Sequence, residues 1–240
     1  MEKVMISNEE AEAFKEFKRC RREEEIYIRL KKSVLDASGR DVDKRALAHA
    51  FAVAKKHGAG GVLVSPLYVA LARRMKGDDR LCVACIAGGT GETLPAVKKY
   101  EAKKALSGGA EELFFLPSFS AIAAKNASFL KREIKKARKA CKKKPFIVLL
   151  DDRSLDASDI SFCAKLAREC KADGVCVRGE LALLKVALEG GGGLAVAVSH
   201  VENAEQFNSL LRAGASRVLS VNFEGIAGEL LRTADRDISS

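Results

Sequence analysis

Residues able to take part in catalysis lie in or just after several short apolar runs of this sequence. Cys176 and Arg178 alternate within the run Gly174–Arg178, while Asp151 and His200 follow two other runs. A cysteine thiolate is a nucleophile, a histidine can take up its proton, and a carboxylate can orient the histidine or act as an acid or base itself. The sequence therefore gives Cys176, His200 and Asp151 as candidate catalytic residues.

Polar residues at the ends of the apolar runs are candidates for binding a ligand. The carboxylate of Asp36, for example, follows a short apolar run and either binds a ligand or accepts hydrogen bonds from amides of the adjacent loop. The candidate ligand-binding residues are Asp36, Arg178, Glu180, Ser199 and Asn222.

The cysteines do not form a metal-binding or disulfide motif. Cys82 and Cys85 have CxxC spacing, but they lie within an apolar, strand-like run, and no second Cys/His pair stands at ligand spacing. Seven cysteines, an odd number scattered over predicted strands and helices, are typical of reduced thiols. We therefore expect structural thiols, no metal and no cofactor.

A regular alternation of strand and helix patterns must position these residues. Eight strands are predicted, at 34–36, 60–65, 81–87, 112–116, 146–150, 174–178, 194–198 and 217–221. Eight repeats favour a (β/α)8 TIM barrel over an open doubly wound sheet, and no Rossmann or P-loop fingerprint competes with it. Because active sites of such barrels lie where the strands end, the candidate residues should share one mouth.

The chain is interpreted as one barrel domain preceded by a helical extension. Residues 33–240 carry the alternation, whereas residues 1–32 are rich in charge and place Phe14, Phe17 and Cys20 at helical spacing. No run of about 18 apolar residues is present, and the N-terminal sequence does not resemble a signal peptide. We expect an additional N-terminal helix, no membrane segment and a cytoplasmic location.

The charge is strongly basic, with a formal net charge of +10. The densest basic run, 135–144, is predicted to be the C-terminal end of a helix, where cations complement the helix dipole. No aromatic residue interleaves with these lysines, so a solvated helix end is favoured over a surface that binds phosphate backbones. Nucleic acid is the least favoured partner.

Several stretches together resemble the deoxyribose-phosphate aldolase family of class I aldolases, over nearly the whole chain from about Val34. The resemblance implies a (β/α)8 barrel and a homo-oligomer, most simply a dimer. The stretches that carry it are Ser33–Asp36, Gly61–Val69, Cys82–Gly91, Val97–Ala105, Gly109–Glu112, Ala172–Val175 and Arg212–Val218.

The resemblance also implies which residues should carry the family's Schiff-base chemistry. In the family a lysine on the sixth strand forms the imine, a lysine on the seventh lowers its pKa, and an aspartate on the fourth shuttles protons. These positions fall on Cys176, Val196 and Phe114, none of which can form or support an imine. The divergent chain is therefore expected to lack the Schiff-base lysine.

The family's other polar positions are also changed. The hydroxyl- and glycine-rich phosphate site is replaced by segments in which Glu180 and Glu224 would repel an anion and Arg178 would partly compensate. Lys98 and Lys103 match lysines common in the family's third helix, and we expect both to form surface pairs.

These observations favour a non-catalytic binding or regulatory protein that holds a small phosphorylated or carbonyl ligand at the barrel mouth. One alternative is a rebuilt enzyme that uses Cys176, His200 and Arg178. Another is an aldolase, a carbon–carbon lyase, that acts on a phosphorylated sugar through a relocated lysine. Lys171 and Lys185 lie near the site in sequence, although both are expected on helices.

Overall fold

The protein is a closed barrel of eight parallel strands. The computed structural model describes residues 8–239, without side chains at 8–11, 13–15 and 234–239; Phe14 and residues 1–7 and 240 of the predicted domains therefore lie outside what is described. Neighbouring strands pair in chain order, and β8 closes on β1. The strands are β1 Ser33–Ala37, β2 Gly61–Val64, β3 Cys82–Ala87, β4 Glu112–Phe115, β5 Phe146–Leu150, β6 Gly174–Arg178, β7 Ala195–Ser199 and β8 Arg217–Ser220.

Helices alternate with these strands, which confirms the predicted (β/α)8 architecture. They are α1 Asn8–Leu30, α2 Lys44–His57, α3 Val69–Lys76, α4 Pro95–Gly108, α5 Phe119–Ala123, α6 Ala127–Cys141, α7 Ala157–Glu169, α8 Leu181–Gly191, α9 Ala204–Arg212 and α10 Phe223–Ser239. The additional helix α1 precedes the first strand, as predicted. No described helix is both long enough and apolar enough to cross a membrane.

Two predicted helices differ from the structure because of local backbone chemistry. The long helix predicted over 124–142 begins later, as α6 at Ala127, because Lys125 adopts a left-handed conformation (φ 50°) and Asn126 caps the helix by accepting the amide of Phe129. The short helix α5 before it was not predicted. The helix predicted over 67–76 begins as a 3₁₀ turn at Pro66–Tyr68. The predicted Asp43 cap of α2 is confirmed, with its carboxylate accepting the amides of Arg45 and Ala46.

Strand alternation divides the core into two layers. One set of side chains points outward and packs against the helices, and the other points into the barrel. Cys85 belongs to the outer set, whereas Cys82 lies near the carboxylate of Glu112 at the floor. All seven cysteines are free. Cys82 and Cys85, the two cysteines of the CxxC spacing, lie on opposite faces of β3, which fits the prediction that they are structural thiols.

An ion pair closes the floor of the barrel. Arg217 begins β8 and Glu112 begins β4, two strands that lie opposite each other in a ring of eight. The Arg217 guanidinium donates to the buried Glu112 carboxylate across the barrel. These side chains therefore close the floor, which is the end of the barrel where the strands begin. The barrel opens at the other end, where the strands end, called the loop end or mouth below.

A second ion pair is fully buried between α4 and α6. Lys98 Nζ lies 2.7 Å from Glu133 Oε2, and both side chains are 0% exposed. The ammonium also donates to the carbonyl of Leu116, and the carboxylate accepts the amide of Ser118. The expectation that Lys98 forms a surface pair is wrong, because the helix turns this residue inward to tie the end of β4 to α6.

Removing one partner of this pair should be strongly destabilising. Lys98→Met leaves the Glu133 carboxylate buried and unpaired, and we expect it to lower the free energy of unfolding by about 3–5 kcal/mol. The exposed neighbour on the same helix gives the control, because Lys99→Met should change it by less than about 0.5 kcal/mol. Urea unfolding followed by circular dichroism measures both, and equal effects would contradict the buried-pair assignment.

Candidate functional site at the barrel mouth

One apolar layer fills the inside of the barrel. Its inward-facing members come from every strand, and Phe114 and Cys176 among them are fully buried. The layer separates the floor from the loop end, so only the groups above it line the mouth. The members are Val34, Leu63, Ala84, Phe114, Ile147, Leu149, Cys176, Ala197 and Leu219.

Cys176 lies inside this layer and is not placed as a nucleophile. Burial raises the pKa of its thiol well above the usual range, and the nearby carboxylates of Asp151 and Asp36 raise it further. A reactive cysteine needs the opposite surroundings, namely partial exposure and neighbouring positive charge. The thiol is therefore protonated at neutral pH, and its surroundings argue against the Cys176 nucleophile expected of a rebuilt enzyme.

Asp151 and His200 come together at the rim, as their positions after β5 and β7 predict. His200 Nε2 lies 3.9 Å from Asp151 Oδ2. Burial is the largest cause of the raised pKa of Asp151, to which the charge of Asp36 adds, while His200 and the Ser199 hydroxyl act in the opposite direction. The rim therefore holds a carboxyl group that ionises less readily than an exposed one, beside an imidazole.

The backbone at His200 adopts the left-handed conformation, with φ 55°. Residues other than glycine rarely occupy this region, and such strain is found preferentially at functional sites. Ser199, which precedes it, is buried and donates its hydroxyl to the carbonyl of Val177. The turn after β7 thus holds the imidazole at the rim at a cost in backbone energy.

Asp36 has one of the two roles that its position suggested, because its carboxylate holds the adjacent loop. One carboxylate oxygen accepts the amide of Ser38 at 3.0 Å and its hydroxyl at 2.6 Å, so the side chain holds the loop after β1. The same carboxylate is close enough to affect the pKa of Asp151 and of Cys176. Two carboxylates therefore face the inside of the mouth.

Arg178 is engaged by neighbouring carboxylates. Its Nε lies 3.2 Å from Glu180 Oε1. Its charge also helps lower the pKa of Asp152, after the larger effect of the hydrogen bonds from Ser154. The guanidinium is thus largely compensated within its own loops, which limits what it can contribute to binding an anion.

The structure does not join Asn222 to the Asp151 cluster. Its side-chain amide donates to the carbonyl of Glu202 at 2.9 Å, and its backbone amide donates to Ser220 Oγ. Asn222 thereby connects the loops that follow β7 and β8. Glu224 lies 3.6 Å from His49 of α2 and so faces the helix layer.

Three carboxylates that hold the mouth loops were not identified from the sequence. Glu101 accepts the amides of Gly88 and Gly89, Glu92 accepts the amide and hydroxyl of Ser120, and Glu133 accepts the amide of Ser118. The amides of the glycine loop are therefore already occupied by an anion of the protein itself. The sequence held a signal for two of them, because Glu101 and Glu133 are the single acidic residues of α4 and α6, two otherwise basic helices.

Metal ligation has no support in the described residues. No group of three or more His, Cys, Asp or Glu side chains within 8–239 is arranged to hold a metal ion.

Sequence relatives agree on one kind of protein. No protein-family model matches the chain. It is 33% identical over 113 residues to a deoxyribose-phosphate aldolase from Acholeplasma laidlawii, a match that covers 47% of this chain and only 51% of that relative. It is 26% identical over 187 residues to one from Mesomycoplasma hyopneumoniae, covering 70% of this chain and 83% of the relative.

A solved structure adds the fold. The tetrameric deoxyribose phosphate aldolase from Aeropyrum pernix superimposes with a TM-score of 0.79 at 16% identity, covering 89% of this chain and 95% of that one. The chain is similar in sequence and in fold to the deoxyribose-phosphate aldolases. At this identity the structural likeness concerns the fold, and the chemistry must be considered residue by residue.

The barrel interior corrects one of the three aldolase positions inferred from sequence. Cys176 and Phe114 face the inside, where the imine-forming lysine and the aspartate of the aldolases are expected. Val196, however, points outward, and the residue opposite Cys176 on β7 is Ala197. Assigning the supporting lysine to Val196 was wrong by one residue, which reverses the face of a strand.

None of the eight strands contains a lysine. The predicted helical locations of Lys171 and Lys185 are half right, because Lys185 lies on α8 while Lys171 lies in the turn before β6. Both are outside the barrel strands, as is the buried Lys98.

The placement of the thiols predicts their order of reaction. Cys20 is exposed and Cys176 is fully buried. With a maleimide near neutral pH, we expect one fast phase of one thiol, which Cys20→Ser removes and Cys176→Ser leaves unchanged. A fast phase in Cys20→Ser that peptide mapping assigns to Cys176 would support the cysteine enzyme instead.

The surroundings of Asp151 predict a pH-dependent gain in stability when its charge is removed. A raised carboxyl pKa means that the folded state holds the proton more tightly, so the charged form costs stability as the pH rises. Asp151→Asn should therefore be stabilising at neutral pH, by roughly 0.5–2 kcal/mol, and the gain should disappear below the usual carboxyl range.

The neighbouring carboxylate provides a control of opposite sign. The pKa of Asp152 is lowered by its hydrogen bonds from Ser154, so its charged form contributes stability above the usual carboxyl range and loses it as the pH falls. Asp152→Asn should be slightly destabilising at neutral pH. Urea unfolding at several pH values compares both variants, and a common sign for the two would contradict the assignment.

Proposed function

We propose that this chain does not carry out Schiff-base aldol chemistry and acts as a non-catalytic binding or regulatory protein with an aldolase-like barrel. The observation that carries the proposal is the apolar interior layer, in which Cys176 occupies the imine position and no strand offers a lysine. An imine requires an unprotonated amine in reach of the carbonyl carbon, and no other side chain replaces it.

The lining of the mouth supports a small ligand that presents hydroxyl or carbonyl groups. Asp36 and Asp151 accept hydrogen bonds, and His200 and Ser199 can donate or accept them. A phosphorylated ligand is less favoured, because two carboxylates face the mouth and Glu101 already occupies the amides of the glycine loop. Arg178 is held by Glu180.

A rebuilt acid–base enzyme is the second candidate. It is favoured by one observation, the pair of His200 and Asp151 with its raised carboxyl pKa. Groups of this kind transfer protons to and from bound substrates. Cys176 has no part in this candidate, because its thiol is protonated.

Assembly and location are proposed from the resemblance. A homo-oligomer is proposed because the related barrel from Aeropyrum pernix is tetrameric. A cytoplasmic location is proposed because all seven cysteines are free, as is usual in a reducing compartment.

Borohydride trapping tests the proposal. Incubation with deoxyribose 5-phosphate or, separately, acetaldehyde, followed by reduction and mass measurement, should give no adduct concentrated on one lysine of the wild-type chain above the background alkylation of surface lysines. An active deoxyribose-phosphate aldolase confirms the reagents. The matched control is Cys176→Lys, which returns an amine to the imine position and should trap acetaldehyde there.

A different outcome would contradict the loss of imine chemistry. A wild-type adduct that peptide mapping assigns to one lysine, and that disappears when this lysine is replaced by arginine, would show that an imine-forming amine survives elsewhere.

A further inference from the structure

Two neighbouring helices, α4 and α6, expose only positive charge. Each contains a single acidic residue, Glu101 and Glu133 respectively, and both carboxylates turn inward to bind backbone amides. Glu133 is buried and Glu101 is only partly exposed, so the fully exposed charged side chains of these helices are all cations.

The exposed side of α6 carries four cations, one or two per turn. They are Arg132, Lys135, Lys136 and Lys139, and the turn that follows adds the three exposed lysines 142–144. Spacings of three, four and seven residues place such side chains on one side of a helix. The basic run noted in the sequence thus continues along the helix and beyond its end.

α4, which packs beside α6, extends the same surface. Its exposed cations are Lys99, Lys103 and Lys104, and these ten side chains together are called the basic face below. Tyr100 lies among them and is 61% exposed, with the ammonium of Lys104 5.5 Å from the centre of its ring. The run 135–144 has no aromatic residue of its own, but the helix that packs beside α6 exposes one.

None of the ten cations forms an ion pair within the described residues. The carboxylates at the edges of the basic face are already paired with other cations: Glu111 with Lys76, Glu169 with Lys131 and Asp173 with Arg138. The charges of Lys144 and Lys135 help to lower the pKa of Glu111 and of Glu169 respectively, although neither lysine pairs with these carboxylates.

The basic face accounts for the whole charge excess of the chain. The sequence has 42 lysine and arginine residues and 32 aspartate and glutamate residues. Without these ten, basic and acidic residues would be equal in number. The excess charge is therefore concentrated on one flank of the barrel.

We propose that the basic face binds the phosphate backbone of nucleic acid without sequence specificity. Rows of unpaired cations on adjacent helices neutralise successive phosphates and release their counterions. A two-fold contact with a second copy of the chain is disfavoured, because it would bring the same positive charges together. A membrane is less favoured, since α6 buries Leu130 and Ile134, and the two large apolar side chains that α4 exposes, Val97 and Tyr100, are too few to form a continuous apolar face.

Fluorescence anisotropy with a labelled DNA duplex of about two helical turns, measured over a range of salt concentrations, tests the proposal. If about five phosphates are neutralised, affinity should fall roughly 500-fold between about 50 and 200 mM salt. Replacing three cations of α6 by glutamine, as Lys135→Gln, Lys136→Gln and Lys139→Gln together, should reduce the slope of log affinity against log salt by about 2 to 3.

A matched variant separates local contacts from overall charge. Arg40→Gln, Lys44→Gln and Arg45→Gln together remove the same charge from exposed positions in and before α2, and should change the slope by less than about 1. Equal effects of the two triple variants would overturn the proposal, as would the absence of duplex binding at about 50 mM salt. Tighter binding to phosphatidylserine vesicles or to polyglutamate than to the duplex would overturn it as well.

Discussion

The chemistry available at the mouth depends on how side chains are desolvated by the apolar layer inside the barrel. Phe114, Cys176 and Ala197 fill the region where a working Schiff-base aldolase would hold charged groups. The same layer keeps water from one side of Asp151 and so raises the pKa of its carboxyl group. The packing of this one layer thus leaves no amine inside the barrel, keeps the thiol of Cys176 protonated and leaves a weakly acidic carboxyl group at the rim.

The carboxylates of α4 and α6 connect the mouth to the flank of the protein. Glu101 and Glu133 are used to fix the loops after β3 and β4, and Lys98 compensates the second of them inside the core. Because these carboxylates are turned inward, they do not neutralise the cations outside. The inward orientation of these two carboxylates therefore has two effects. It holds the mouth loops in place, and it leaves the flank positively charged.

The fold could be predicted from the sequence because short apolar runs alternate regularly with helical patterns. The meeting of Asp151 and His200 follows in the same way, since strand ends of a barrel converge on one face, whereas Cys176, expected beside them, lies in the buried layer. Val196 was misplaced because a shift of one residue in an all-apolar strand leaves the sequence pattern unchanged. Lys98 was misjudged because a lysine on a basic helix gives no local sign of the distant carboxylate that pairs with it. The surroundings of Cys176 depend on distant residues such as Asp36 of β1, Asp151 after β5 and Ser199 of β7, which no local pattern contains.

The ion pair of Arg217 and Glu112 has a consequence for how a small molecule could enter and leave the barrel. Since it closes the floor, a molecule that reaches Asp151 must leave by the opening through which it entered. Binding and release would therefore share one route, and the loops of the mouth would control both.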